Sequence, residues 1–241
     1  TDKIVSINRK PVGEGIGQSG EFNRVEVTSE SGAKTNYFLK LRAPLHGLHP
    51  VAMRYKMYEK EVRFYNELAQ QMSVRTPTVY YADYDPATEN IALLLEFMDG
   101  WHSPDQITGA SHTQTIAAIK QLATINAPYW NRTEELPWLP TMQTDYLQQT
   151  IGDMQACRDV FFQRFGNELP ISKADFHRII EAWPTILDGL SEGNLTLTHY
   201  DYRVENMFFS GDENAVAVID WQLIPALRAG WDLTYLIGTN I

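Results

Sequence analysis

Over its first hundred residues the hydrophobic and polar positions read mostly as short strands with one helix. Lys3 to Asn8 is a candidate first strand, Val25-Glu26-Val27 within Phe22 to Val27 alternates like a half-buried strand, Tyr37 to Leu41 is rich in strand-favouring residues, and Ser31-Gly32 marks a turn between the last two. From Pro50 the period changes. Val51, Tyr55, Tyr58, Val62, Tyr65 and Ala69 follow at steps of three and four, so one helix with an apolar stripe is expected before Thr76-Pro77. Val79 to Tyr81 and Ile91 to Leu95 read as two more strands joined at Asp85-Pro86. After Gly100 the pattern is helical over about Thr113 to Asn126, Asp145 to Phe165 and Lys173 to Leu190, with breaks at Pro128, Pro137, Pro140, Pro170 and Gly193. Strands return at Leu195 to Thr198 and Ala215 to Ile219, the second behind the turn Ser210 to Asn214. Trp231 to Ile237 starts a last helix, and its abrupt apolar end near Ile241 leads us to expect a longer natural chain. The expected class is α+β.

Composition narrows the function. The chain has 241 residues, 44% hydrophobic and 21% charged, which excludes disordered and fibrous classes. Thirty acidic residues against 20 basic ones give a net charge of -10. That charge repels phosphate backbones and anionic membrane surfaces, so no nucleic-acid partner is expected. The single cysteine, Cys157, excludes an internal disulfide and is expected as a small buried residue of a helix. No apolar run approaches the ~20 residues of a membrane helix, and Thr1 to Val5 lacks the apolar core of a signal peptide. A cytoplasmic protein without a membrane span is expected.

Two stretches carry the candidate chemistry. His199-Tyr200-Asp201-Tyr202-Arg203-Val204-Glu205-Asn206 fits H-x-D-x-x-x-x-N, and Val218-Ile219-Asp220-Trp221 sets an aspartate at the end of an apolar strand. Phosphoryl transfer needs a carboxylate to take or orient the acceptor hydroxyl's proton, and oxygen ligands to hold magnesium on a triphosphate. Asp201 is the candidate base, and Asn206 and Asp220 are the candidate metal ligands. The hairpin between them is expected to bring them to one pocket. Gly15, Gly17 and Gly20 form a glycine loop. A dinucleotide fold needs a helix after such a loop, whereas here a strand follows, as in loops that cover ATP phosphates. Lys40 leaves an apolar strand on the same face as Phe38, suited to an anionic phosphate, with Glu59 or Glu61 as its partner.

These residues together resemble the aminoglycoside phosphotransferase and choline kinase superfamily, most closely its ecdysteroid-kinase-like branch. The resemblance runs from about Gly13 to Leu236. Its most specific pieces are His199 to Asn206, Ile219 to Gln222, and Ala229-Gly230-Trp231-Asp232-Leu233-Thr234-Tyr235-Leu236. It implies a two-lobed protein-kinase-like fold. The β-rich nucleotide-binding lobe would cover residues 1–98, the hinge about 96–101, and the catalytic and substrate lobe 99–241. It implies ATP, magnesium and a small hydroxylated acceptor. Carried over by position, Asp201 matches the catalytic aspartate, Asn206 and Asp220 the magnesium ligands, Lys40 the phosphate lysine and Glu61 its helix partner. Glu96 to Met98 match the hinge that meets adenine, Asp232 a brace of the catalytic loop, and Arg203 a basic residue near the transferred phosphate. Two features depart from the family. Tyr200 stands where glycine is usual, and relatives continue past the last helix with segments that line the acceptor pocket. These motivate an alternative, a nucleotide-binding pseudokinase. A protein kinase is disfavoured, because Pro225 follows Asp220 too closely for an activation segment. His46 and His49 read as loop residues rather than a metal pair. Trp101, Trp130, Trp138 and Trp183 are expected in core packing.

Overall fold

The computed structural model describes residues 2–13, 20–44 and 49–240, apart from the side chains of residues 146 and 147. The N-terminal part is one antiparallel sheet of β1 (Ile4–Pro11), β2 (Gly20–Ser29), β3 (Lys34–Arg42), β4 (Val79–Asp85) and β5 (Asn90–Glu96), in the order β1-β2-β3-β5-β4. Every predicted strand of this half is present, and each is longer than its periodic segment because ladder pairing extends beyond the apolar positions. On β5 the alternation is plain: Ile91, Leu93 and Leu95 are buried, while the residues between them are less so.

The single helix expected from Pro50 is instead three pieces. α1 (His49–Arg54) stops at Tyr55-Lys56, where Lys56 takes φ of 50°. α2 (Met57–Arg63) then runs into a five-residue π turn, Phe64–Leu68. The break lets Tyr55 and Tyr58 serve different neighbours. The Tyr55 hydroxyl bonds Thr150, and the Tyr58 hydroxyl accepts the Ala43 N–H at 3.1 Å. The π turn buries Phe64, Tyr65 and Leu68 together, which a regular turn would splay over more of the surface.

The C-terminal part holds α3 (His112–Asn126), α4 (Asp145–Phe165), α5 (Lys173–Leu190) and α6 (Gly230–Asn240). A reciprocal Ser111–Gln114 capping box starts α3. Four strands of three residues each form two small hairpin-like pairs: β6 (Leu195–Leu197) with β9 (Ala226–Arg228), and β7 (Met207–Phe209) with β8 (Val216–Val218). β7 and β9 were not predicted, being too short to show a period. One core joins both parts. Leu93 and Leu95 of β5, Val62 of α2, Ile125 of α3, and Phe209 and Val218 of the β7–β8 pair belong to the same buried cluster. At its centre Phe64 and Trp221 stack with centroids 3.9 Å apart, and Trp221 is fully buried.

Two packing expectations fail. Cys157 is exposed, because α4 packs mainly against α5 and, among its described residues, only Ile151 is buried. Trp130 is exposed as well, at the surface turn after Ala127–Tyr129. Trp138 and Trp183 do pack against the buried clusters. Among the described residues no helix is long and apolar enough to cross a membrane.

Candidate active site

Lys40 leaves β3 opposite Phe22 of β2 and Leu93 of β5, and its side chain is almost fully buried. A buried ammonium needs anionic partners, and it has them. Nζ donates to Glu61 Oε2 at 2.6 Å, to Asp220 Oδ1 at 3.2 Å and to Gln222 Oε1 at 3.2 Å. Glu61 is therefore the helix partner that periodicity left open, and Glu59 is not. Burial alone would lower the Lys40 pKa, but the Glu61 and Asp220 carboxylates hold it above its ordinary value. Glu61 is pushed up by burial while Lys40 draws it back. Gly20 abuts this lysine: a Cβ there would meet Phe22 at 2.9 Å and the Lys40 stem at 3.2 Å, so the close approach requires glycine. Gly15 and Gly17 lie outside the described residues.

The second stretch is built around Asp201. Asn206 Nδ2 donates to Asp201 Oδ2 and to its carbonyl, both at 2.9 Å. Arg203 Nε lies 3.4 Å from Asp201 Oδ1, an ion pair, while its Nη1 donates to Gln106 and pairs with Glu205. Tyr235 lies near the Asp201 carboxylate, and burial and that charge raise the phenol's pKa. The short β7–β8 pair then closes the circuit, since the Ile219 N–H donates to the Asn206 carbonyl at 3.0 Å. The Asp201–Asn206 pair is thus tied through the Ile219 backbone to the next residue, Asp220, which meets Lys40 and through it Glu61. His199 supports it from behind. Its Nε2 donates to the Ile219 carbonyl at 2.9 Å, and its ring packs edge-on against Trp221.

Asp232 sits beneath this loop, fully buried. Its two oxygens accept the N–H groups of His199 at 2.7 Å and Tyr200 at 2.8 Å. Burial pushes its carboxyl up to about 6, against the opposing pull of His199 and the two N–H donors. The brace explains the odd residue in the loop. Tyr200 has φ of 75°, a region that glycine enters freely and other residues enter at a cost. The tyrosine is held there by its ring, stacked on Trp231 at 5.0 Å, and by the Trp231 indole N–H donating to the Tyr200 carbonyl at 2.9 Å. Tyr200→Ala and Tyr200→Gly both lose the stack, but only alanine keeps the backbone cost. Alanine is expected to be less stable than glycine by about 1 kcal/mol, read from urea unfolding. Equal stabilities would show that the loop carries no backbone cost.

Glu96 and Met98 lie away from this string. The Glu96 carboxylate ends β5 in a paired contact with Arg75 Nη2 at 2.7 and 2.8 Å and also accepts from Thr78. Its pKa falls under the Arg75 and Thr78 bonds although burial opposes them. Met98 is buried beside the same arginine. His49 bonds Glu89, and among the described residues no group of three or more His, Cys, Asp or Glu side chains could hold a metal. Gln222, Tyr235, Gln106 and Arg75 were not singled out from sequence. Gln222 and Tyr235 lay inside motifs quoted for other members, which was the available signal.

Residues 13–239 match the model of a family described as the phosphotransferase enzyme family. The chain belongs to that family. Solved structures share this phosphotransferase's fold at low identity. Wild-type aminoglycoside 2'-phosphotransferase-IIIa, as a GDP complex, is 14% identical with a TM-score of 0.60 over 98% of this chain and 73% of its own. Macrolide 2'-phosphotransferase type I is 16% identical with a TM-score of 0.52, over 95% and 71%. Plasmodium vivax ethanolamine kinase is 14% identical with a TM-score of 0.50, and this chain spans 59% of it. No curated protein matches the chain.

Proposed function

We propose that this phosphotransferase moves the γ-phosphoryl group of ATP to a hydroxyl of a small molecule. The observation that carries the reading is the string from Asp201 and Asn206, by way of the Ile219 backbone, to Asp220 and the buried Lys40–Glu61 pair. It sets a carboxylate, an amide oxygen, a second carboxylate and an ammonium in sequence, the set that positions and neutralises a triphosphate. We take residues 1–98 as the nucleotide lobe, about 96–101 as the hinge and 99–241 as the catalytic lobe.

Asp201 accepts the acceptor's proton as its oxygen bonds the γ-phosphorus. The bond from that phosphorus to the β,γ-bridging oxygen breaks, and the electron pair leaves with ADP. Asn206 orients Asp201 through its amide N–H. Arg203 stands against Asp201, where its charge can offset that of the moving phosphoryl group. Lys40 meets the α- and β-phosphates, fixed by Glu61. The backbone of the loop bearing Gly15, Gly17 and Gly20 covers the phosphates, and that of Glu96 to Met98 meets adenine.

The donor set also fits magnesium. The Asn206 amide spends its N–H on Asp201, which leaves its carbonyl oxygen for a ligand, and Asp220 is a partly exposed carboxylate. Such hard oxygen donors, few in number, suit an ion that keeps several waters. Bound there, magnesium would neutralise charge on the phosphates. The names of the fold neighbours, for aminoglycosides, a macrolide and ethanolamine, support a small hydroxylated acceptor. A cytoplasmic setting, where ATP is plentiful, fits this reading.

Calorimetry with ATP and magnesium tests it. Binding is expected, and Asp220→Asn should weaken it by about tenfold or more, a loss of ~1.4 kcal/mol. A variant that binds ATP and magnesium as tightly as the parent would remove Asp220 from the site. Binding without ATP consumption over a broad panel of alcohols would leave the pseudokinase alternative standing.

A further inference from the structure

The Lys40 ammonium spends its N–H donors on Glu61 at 2.6 Å, on Asp220 Oδ1 at 3.2 Å and on Gln222 Oε1 at 3.2 Å. Gln222 is itself 6% exposed, and the other end of its amide is engaged too. Its Nε2 donates to Asp220 Oδ2 at 2.9 Å. One buried amide thus joins the ammonium to the carboxylate, with its oxygen on the cation and its N–H on the anion. The reversed amide would set N–H groups against Nζ and oxygen against Oδ2, two repulsive contacts, so chemistry fixes its orientation.

The segment is anchored so that this side chain stays in place. Between Asp220 and Gln222, Trp221 is fully buried, stacks on Phe64 and donates its indole N–H to the Val218 carbonyl at 3.0 Å. Ile219, just before Asp220, is held through its backbone by Asn206 and His199. Among the described residues, the side chains that hydrogen-bond the Asp220 carboxylate are Lys40 and Gln222. The two bonds differ in fate. An ammonium that turns to a phosphate gives up one of its three acceptors. Asp220 gains a metal cation in exchange, whereas Glu61 and Gln222 would gain nothing. Asp220 Oδ1 is therefore the acceptor released, and Gln222 is then the one described side chain still bonded to Asp220.

We propose that Gln222 is a positioning residue for phosphoryl transfer: it tethers Asp220 by Oδ2 and so presents Oδ1 to magnesium once Lys40 has turned to the phosphates. This rests on the magnesium role of Asp220 proposed above.

Calorimetry with ATP tests it, run in magnesium and again with EDTA in its place, on the parent, Gln222→Met, Asp220→Asn and the double variant. Methionine is unbranched like glutamine and lacks the amide. Losing a hydrogen bond to a metal-ligating carboxylate costs about 10–100-fold in metal affinity. Gln222→Met should therefore weaken ATP binding in magnesium about tenfold or more, with a smaller loss in EDTA. In the Asp220→Asn background the same substitution should add little, because the group it acts through is gone. An equal loss with and without magnesium, or a full additional loss in the double variant, would overturn the tether, since a purely structural glutamine behaves that way. Gln222→Asn, whose amide falls one methylene short of Asp220, supplies the same comparison where the methionine variant melts below the assay temperature. If Asp220→Asn binds ATP and magnesium like the parent, the metal role of Asp220 fails and the tether with it. If only Gln222→Met is without effect, the tether fails and that role stands.

Discussion

Asp201→Asn is expected to lower kcat by about 10²–10⁴-fold while the protein stays folded. The amide keeps the shape of the carboxylate and can still lie against Asn206, Arg203 and Tyr235, but it cannot take a proton. Its structural losses are one ion pair at 3.4 Å and the reversal of a hydrogen bond with Asn206. Each is worth about 1 kcal/mol at a site open on one side. ATP consumption with a working acceptor, beside a thermal melt, separates the two effects. Activity within a few-fold of the parent would take the base role away from Asp201. An unfolded variant would show instead that the string of contacts is structural.

The second large effect is on stability. Lys40→Met leaves Glu61 2% exposed and without its cation. Removing one member of a buried pair strands the other and costs about 3–5 kcal/mol. The pH dependence gives this loss a signature. Burial already lifts the Glu61 carboxyl, and Lys40 is what pulls it back. Without Lys40 its folded pKa lies further above the unfolded one, so folding favours the protonated acid. The stability tied to that group is then complete below about 4.5, its ordinary value, and drains away as pH rises through the folded value. Urea unfolding should therefore show a larger deficit at pH 8 than at pH 5. Adding Glu61→Gln should recover much of the deficit at the higher pH. A deficit independent of pH would mean that Glu61 does not carry an unpaired charge in the variant.

Much of this was legible in the residues, for reasons that differ by element. β3 and β5 could be read because each is a short, largely apolar run bounded by turn signals, too brief for a helix. Helix α2 could be read as a stripe but not as a broken one. Lys56 turns left-handed to serve Tyr55 and Tyr58 separately, a demand set by partners on α4 and near Ala43. The β7 and β9 strands contain three residues each, so pairing across the chain, not local pattern, decides them. The choice between Glu59 and Glu61 needed the depth of α2 against the sheet. Tyr200 was visible as a departure from glycine. That it is tolerated depends on Trp231, thirty-one positions away, stacking on it. Cys157 misled because a helical pattern does not say how many sides of a helix are covered.

The Arg75 region fixes how the cleft can work. Arg75 clamps Glu96 with its guanidinium, and its carbonyl accepts the Val218 N–H at 3.0 Å. His102 and Phe209 exchange backbone bonds beside it, at 3.0 and 2.8 Å. The Val218–Arg75 bond is one of several ties between the two parts, beside the Phe64–Trp221 stack and the Lys40–Asp220 pair. Those ties are buried or partly buried, and salt screens them little, whereas the Arg54–Asp153 pair lies in solvent, where salt weakens it. Rising ionic strength should therefore loosen the surface tie first and leave the buried ones closed.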